Sequence, residues 1–320
     1  MLHAVDEDFL MAVANRAILS QGALGQTLAG IAKAVAELKG ASLPGEVAQA
    51  IAGVSISDEA RAIAKSLAGS DKSAVFLGSY AQHHPQFTTL HVLAQEIARM
   101  AGGKLGFFAE SANSVGAAAV GAEPGANGRC AQGMVKNPRK AYLTLNVEPH
   151  GDCADPAATL AALRHADFVV SLAMFKSDPA NDFAQVLLPI APFTETAGTF
   201  VNMAGLCQSF NGVVKPLGEA RPAWKVLRVL GNMLGLDGFD QDNIEAVRAD
   251  IAADLPAFVA GKLGNAIGGV KIDVSDLTGG DVVVEVPLYG GDAIVRRAPS
   301  LQMTSQAKLA RRVPVAAAAE

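Results

Sequence analysis

Cysteine is scarce in this chain of 320 residues: Cys130, Cys153 and Cys207 are the whole set, far apart and without a CxxC pair. That spacing excludes a disulfide framework and suits a reducing compartment. A thiolate-held iron–sulfur cluster generally needs four cysteines, so this chain cannot hold one by itself. Long apolar runs are also missing, although 50% of the residues are hydrophobic. The longest uncharged windows, Ser73–Gln95 and Thr196–Val214, are interrupted by His83, His84, Pro85, Asn202, Gln208 and Asn211. Neither reads as a span of about 20 apolar residues, so no direct membrane insertion is expected. A basic excess is absent too. The 26 Lys and Arg residues face 31 Asp and Glu, giving a net charge of −5, and no basic stripe is present, which argues against nucleic-acid binding. The opening MLHAVDEDF is acidic where a signal peptide would be basic, so no export is expected.

Phosphate and metal fingerprints are equally thin. GAEPGANG at Gly121–Gly128 is neither GxGxxG nor a Walker loop and reads as a close-packed turn region. His83, His84 and His91 lack the i,i+4 spacing that sets two imidazoles on one helix face, so no metal is expected on them. His150, Asp152 and Cys153 sit together where a strand ends; donor atoms could converge there, with a capped surface loop as the default reading. Acid–base candidates are Glu148, His150 and Asp152 after one strand, Asp178 and Asp182 after another, and Glu195 further on. All of them could face one crevice at the carboxyl edge of a sheet.

What the chain does contain is an alternation of apolar strands and amphipathic helices. The first 72 residues read as helical, around Asp8–Ser20, Ala23–Lys39 and Ser57–Ala68, with Ser57 as an N-cap. Ala74–Leu77 reads as a buried strand. It is followed by a helix with Leu90, Leu93, Ala94, Ile97 and Ala101 on one face, ended by Gly102-Gly103. Leu105–Phe108, Ala141–Val147, Phe168–Leu172 and Val186–Leu188 complete the strands expected in one mainly parallel sheet. A helix is expected near Asp155–His165, another over Ala223–Leu236, and a third over Asp240–Ala253 with Asp240 or Asp242 as its cap. Gly261–Lys271 reads as a linker, Val282–Val286 as a strand, and VPVAAAAE as a tail.

One stretch carries most of the functional information. Val186–Leu188 is stopped by Pro189, and a loop follows with Glu195, Gly198, Thr199, Asn202, Gly205 and Gln208. These residues, in this order, resemble the signature of the molybdopterin oxidoreductase superfamily. The longer string ETAGTFVN...QSFNGVVKPLGEARPAWKVLRVLGN is similar to the G-type large iron–sulfur subunit of bacterial respiratory NADH:quinone oxidoreductase (complex I). YLTLNVEPHGDCADP and VRRAPSLQ resemble the same subunit. The resemblance implies an α/β fold of the molybdopterin-oxidoreductase type, a doubly wound, mainly parallel sheet with helices on both faces.

The expected layout is a helical region at 1–72, the α/β domain at 73–237, a helical linker at 238–275, and the start of a truncated β-rich region with a tail at 276–320. In catalytic relatives the signature loop helps line a molybdopterin cleft. Here Ala204-Gly205-Leu206 replaces the usual Glu-Gly-Arg and removes a guanidinium suited to phosphate. Glu195, Gly198, Thr199, Asn202 and Gln208 are therefore candidates for a vestigial cleft, and neither a catalytic residue nor a cofactor is expected in this segment. The family's iron–sulfur clusters are expected in a portion preceding it.

The implied function is a non-catalytic scaffold in a respiratory NADH dehydrogenase, supporting electron transport from NADH to quinone by the whole complex. Its implied partners are other peripheral-arm subunits, on the cytoplasmic side of the bacterial inner membrane. The alternative is an oxidoreductase binding a molybdopterin or another dinucleotide. A fragment of this kind is expected to expose apolar surface to its partners and to be poorly ordered after Arg297.

Overall fold

The computed structural model describes residues 1–4, 6, 10–109, 111–256, 263–275 and 289–310. Its contacts divide into two compact units. One comprises Met1–Val115, Val201–Leu206 and Ala260–Val283; the other comprises Gly116–Phe200, Cys207–Val259 and Val284–Glu320.

The first unit opens with two short parallel strands, β1 (Leu2–His3) and β2 (Ala17–Ile18). The expected helix over Asp8–Ser20 is thus corrected. Leu10 and Met11 remain exposed, so no apolar face is buried to hold a helix of marginal length. The chain instead pairs its backbone, with the Ala17 and Leu19 amides donating to Met1 O and His3 O at 2.9 and 3.0 Å. Helices α1 (Leu24–Lys39), α2 (Gly45–Ala50) and α3 (Asp58–Ala68) follow, and α1 packs on α3. The Ser57 hydroxyl caps α3 by accepting the Ala60 amide at 3.1 Å, as its sequence predicts.

A βαβ unit comes next: β3 (Ala74–Leu77), the single turn α4 (Ser79–Gln82), α5 (Phe87–Ala101) and β4 (Lys104–Phe107). The two strands pair in parallel with Ala74 opposite Lys104. Leu90, Leu93, Ala94, Ile97 and Ala101 of α5 are buried, the face their spacing predicts, and they form one core with α1 and α3. Residues 263–275, part of which reads as a linker, are a docked segment. The Gln95 side chain both donates to Ile267 O (3.1 Å) and accepts the Ile267 amide (2.9 Å). Thr89 Oγ1 accepts the Asp273 amide at 3.0 Å.

In the second unit, α6 (Ser114–Ala119), whose first residues belong to the first unit, and α7 (Ala131–Lys136) precede β5 (Ala141–Leu145). Then come α8 (Pro149–Asp152), α9 (Pro156–Arg164), β6 (Phe168–Ala173), α10 (Asp178–Phe183) and β7 (Val186–Pro189). β5, β6 and β7 form a parallel sheet in that order. Val169 and Leu172 of the central strand are fully buried, and Thr144 reaches across to Ser171 at 3.0 Å. β8 (Gly198–Val201) and β9 (Cys207–Phe210) form a two-stranded sheet, followed by α11 (Ala223–Met233) and α12 (Ile244–Asp254). The cap of α12 is Asn243, which accepts the Ala246 amide at 2.8 Å. This corrects Asp240 and Asp242; the latter is drawn to Arg228 at 3.1 Å.

The α/β class and the parallel pairing hold, but the expected single sheet does not. Among the described residues, β3–β4 and β5–β6–β7 are separate sheets. Apolar strand sequence favours a buried extended segment and carries no record of which neighbour it joins. The expected poor order after Arg297 is corrected as far as residue 310, since Pro299–Gln302 and Ser305–Ala310 are helical turns; residues 311–320 lie outside the described residues. Val282–Val286 and the tail VPVAAAAE lie outside the described residues.

Candidate functional site

Pro189 ends β7, and the chain then turns alongside residue 221. The Ala191 amide donates to Arg221 O at 2.9 Å, and Ile190 bridges Arg221. The turn Phe193–Glu195 closes on itself and on the segment that follows β9. The Val213 amide donates to Thr194 O at 2.8 Å, and the Leu217 amide donates to Glu195 Oε2 at 3.1 Å. Glu195 therefore accepts a backbone bond at a chain crossing.

Arg248 of α12 reaches Gly198 and Thr199. Its Nε donates to Thr199 Oγ1 (3.1 Å), and its Nη2 donates to Gly198 O (2.9 Å) and Phe210 O (3.2 Å). Thr199 also shares a hydrogen bond with Ser209 at 3.0 Å. Gly198 is required because a Cβ there would lie 2.6 Å from the Phe210 ring. In this second unit Glu195, Gly198 and Thr199 belong to one self-bonded loop region, and Gln208 is exposed on β9. Asn202 is counted with the first unit. There its Oδ1 accepts the Ala204 and Leu206 amides at 2.9 and 3.0 Å, and the Val201 amide donates to Asn113 Oδ1 at 2.9 Å.

The loop's donors and acceptors are thus engaged by its own chain. Arg248, the cation that touches it, is held by two carbonyls and a hydroxyl, with Glu245 at 3.8 Å. Among the described residues, the buried side-chain polar atoms that lack partners are on Gln21, Ser73, Gln86, Arg228 and Arg296, all outside the loop. Among the described residues, the strands of each sheet lie in chain order.

Of the acid–base candidates, Glu148, His150 and Asp152 lie together. Glu148 is buried and takes Arg297 on both oxygens, Nη2 at 2.7 Å and Nη1 at 2.9 Å. Arg296 bridges Glu148 (3.2 Å) and Asp152 (2.9 Å). His150 is half exposed with Nε2 3.9 Å from Glu148. Asp182 pairs with Arg164 at 3.2 Å on the surface, and the Asp178 side chain lies outside the described residues. Burial opposes the charged form of Arg296, but its bonds and charges from Asp152 and Glu148 outweigh that, so its pKa rises.

The histidines also have structural partners. His84 is buried, with Nε2 against Gln21 O at 2.9 Å and Nδ1 accepting the Gln86 amide at 3.0 Å. These two bonds define a neutral tautomer, and burial lowers its pKa despite the opposing Gln21 carbonyl. His91 meets Asn265 O at 2.7 Å and is lowered by burial in the same way. Among the described residues no three His, Cys, Asp or Glu side chains are grouped to hold a metal ion.

A groove of ≈ 640 Å³ lies against α11 and α12, lined by Trp224, Leu227, Phe239, Val247 and Ile251, and none of the loop candidates lines it. Sequence reasoning missed Arg248 and missed the partners of Arg296 and Arg297. Arg248 stands in an ordinary polar helix with no local mark of its role. The arginine pair lies in a family-like string, VRRAPSLQ, which gives no hint of a carboxylate partner 148 residues away.

The molybdopterin oxidoreductase family profile matches residues 20–233. The G-type subunit of NADH-quinone oxidoreductase from Mycobacterium bovis is 35% identical over 136 residues, which is 41% of this chain and 16% of that protein. Its Mycobacterium tuberculosis counterpart matches to the same extent. A putative formate dehydrogenase of Staphylococcus aureus is 40% identical over 77 residues, 24% of this chain and 8% of its own length. The matched stretch is therefore a small part of each relative.

Proposed function

The chain belongs to the molybdopterin oxidoreductase family and is related to the G-type subunit, and from that premise we propose that it is a non-catalytic scaffold in a respiratory NADH–quinone oxidoreductase. It packs beside the cluster-bearing part of that subunit and the neighbouring peripheral-arm subunits. There it holds and shields an electron-transfer path while the complex as a whole passes electrons from NADH to quinone. Its place is peripheral, on the cytoplasmic face of the membrane. Consistent with that, no helix among the described residues is long and apolar enough to cross a membrane.

The observation that carries this reading is the closed hydrogen bonding of the signature loop. Glu195, Thr199 and Asn202 bond to the chain's own backbone or side chains, so they serve as ties. The cleft that binds molybdopterin in catalytic relatives is vestigial here, and no step of chemistry is assigned to it. A second reading, a molybdopterin-binding oxidoreductase, draws on the putative formate dehydrogenase among the relatives.

The test is to purify the complex that contains this chain, with Asn202 intact or replaced by Ala. The proposal expects less assembled complex in the variant, unchanged NADH–quinone activity per assembled complex, and no molybdenum in either preparation. About one molybdenum per chain, lost together with a formate-dependent activity in the variant, establishes the second reading instead.

A further inference from the structure

The two strings VEPHGD and VRRAP meet in the second unit, through pairs 144 to 149 residues apart. Glu148 and Asp152 lie just beyond the carboxyl end of β5. The Glu148 amide is bonded to Asp152 Oδ2 at 2.6 Å, so both carboxylates are held on one turn. Arg296 and Arg297 bind that turn, and the Arg297 guanidinium also lies 4.2 Å over the ring of Phe175, which follows β6. The two guanidiniums therefore sit across the ends of β5 and β6, the edge at which parallel sheets receive ligands.

The arginine segment is braced within itself. Asp292 caps the turn Ala293–Arg296 by accepting the Ile294 and Val295 amides at 2.8 and 3.0 Å. Arg296 donates to Gly290 O at 2.9 Å, and Gln302 donates to Tyr289 O at 3.0 Å. The turn and the latch approach closely at Gly151, where a Cβ would meet the flexible end of Arg296 and make that guanidinium shift. The fit is also incomplete, because Arg296 Nε is buried without a partner, and an orphaned donor weakens the closed state relative to an open one.

We propose that the Glu148–Asp152 turn with Phe175 is a recognition site for a paired-arginine segment, filled here by Arg296-Arg297 as a latch over the carboxyl edge of β5 and β6. Two carboxylates and an aromatic face are the chemistry that receives two guanidiniums, through bidentate bonds and ring stacking. The acidic turn rejects phosphate-bearing ligands, and the latch shuts the edge to other ligands. This goes beyond the scaffold reading, since it assigns an opening segment and the side chains that hold it.

Hydrogen exchange on the full chain tests the latch without any substitution. Raising salt from roughly 0.05 to 1 M screens the partly exposed charges. The amides of Ile294–Gln302 are then expected to exchange several-fold faster, while those of β6 stay unchanged. Trypsin cleavage after Arg296 or Arg297 supplies a second readout. It is expected to be slow in the native chain and on the order of tenfold faster in Glu148→Gln, because cleavage follows the open population. Tryptophan emission from Trp224 checks that the unit remains folded. Salt-independent exchange in the native chain, or folded Glu148→Gln protein as resistant as the native chain, overturns the proposal. Should the variant unfold, the salt response of the native chain decides.

Discussion

The two units of this chain solve the same problem, closing a short parallel sheet, with different chemistry. The first does it with apolar helices. Ile31, Val35, Leu90, Leu93 and Ile97 are buried almost completely, and the polar contacts beside them come from neutral groups, such as His84, His91, Thr89 and Gln95, bonded to backbone. The second has a smaller apolar cluster around Leu163, Val169, Ala180 and Phe183 and ties its distant pieces together with guanidiniums. It also leaves Val213, Leu217 and Met233 largely exposed at 83%, 83% and 81%. Neutral bonds to backbone are indifferent to salt but vulnerable to acid when a histidine is involved. Guanidinium clamps respond to salt and to loss of a single carboxylate.

The largest effect expected is Leu93→Ala in the first unit, a loss of roughly 3–5 kcal/mol by cavity formation at a fully buried site. Because the sole tryptophan, Trp224, lies in the second unit, hydrogen exchange reads the first unit separately. Loosening of α1, α3 and α5 with unchanged Trp224 emission is the expected pattern, and simultaneous loss of both units would show that they do not behave separately.

Next comes Glu148→Gln, which leaves Arg296 and Arg297 without their shared carboxylate. Removing one partner of a buried pair costs about 3–5 kcal/mol, and the partial exposure of Arg297 brings the expected loss to about 2 kcal/mol. Urea unfolding followed at Trp224 measures it, and the loss should shrink at high salt.

Arg248→Ala frees two carbonyls and Thr199, for an expected loss of about 1–2 kcal/mol. The same urea titration reads it. A loss under about 0.3 kcal/mol would show that the loop does not depend on that clamp.

The smallest effect is acid sensitivity confined to the first unit. His84 and His91 have folded pKa values below the unfolded value of about 6.5, so the unfolded chain binds more protons than the folded one in the window between. Their contribution is whole above about pH 6.5 and is lost as pH falls through the folded pKa values. Opening of α5 amides, with the intrinsic exchange rate divided out, should therefore rise as the pH falls below about 6.5. In His84→Gln that rise should be smaller, and an unchanged rise would remove His84 as its source.

What the sequence determined by itself is local. The strands Ala74–Leu77 and Phe168–Leu172, the buried face of α5 and the Ser57 cap are readable because periodicity and capping act over a few residues, and a few residues are enough to state them. The signature loop is legible as a candidate by its residue types, and so is its family. Tertiary structure alone decided the rest. The strands divide into two sheets because backbone donors and acceptors are alike in every strand, so pairing leaves little trace in the side chains. Ala17–Ile18 joins Leu2–His3 for the same reason, against the helix its composition suggests. The Asn202 and Glu195 side chains turn to backbone, and Arg248, Arg296 and Arg297 find partners 38 to 149 residues away. An arginine in a helix has the same local sequence signature whether it faces solvent or clamps a distant strand. Only the folded chain brings its partner within about 3 Å, where charge and hydrogen-bond geometry take effect.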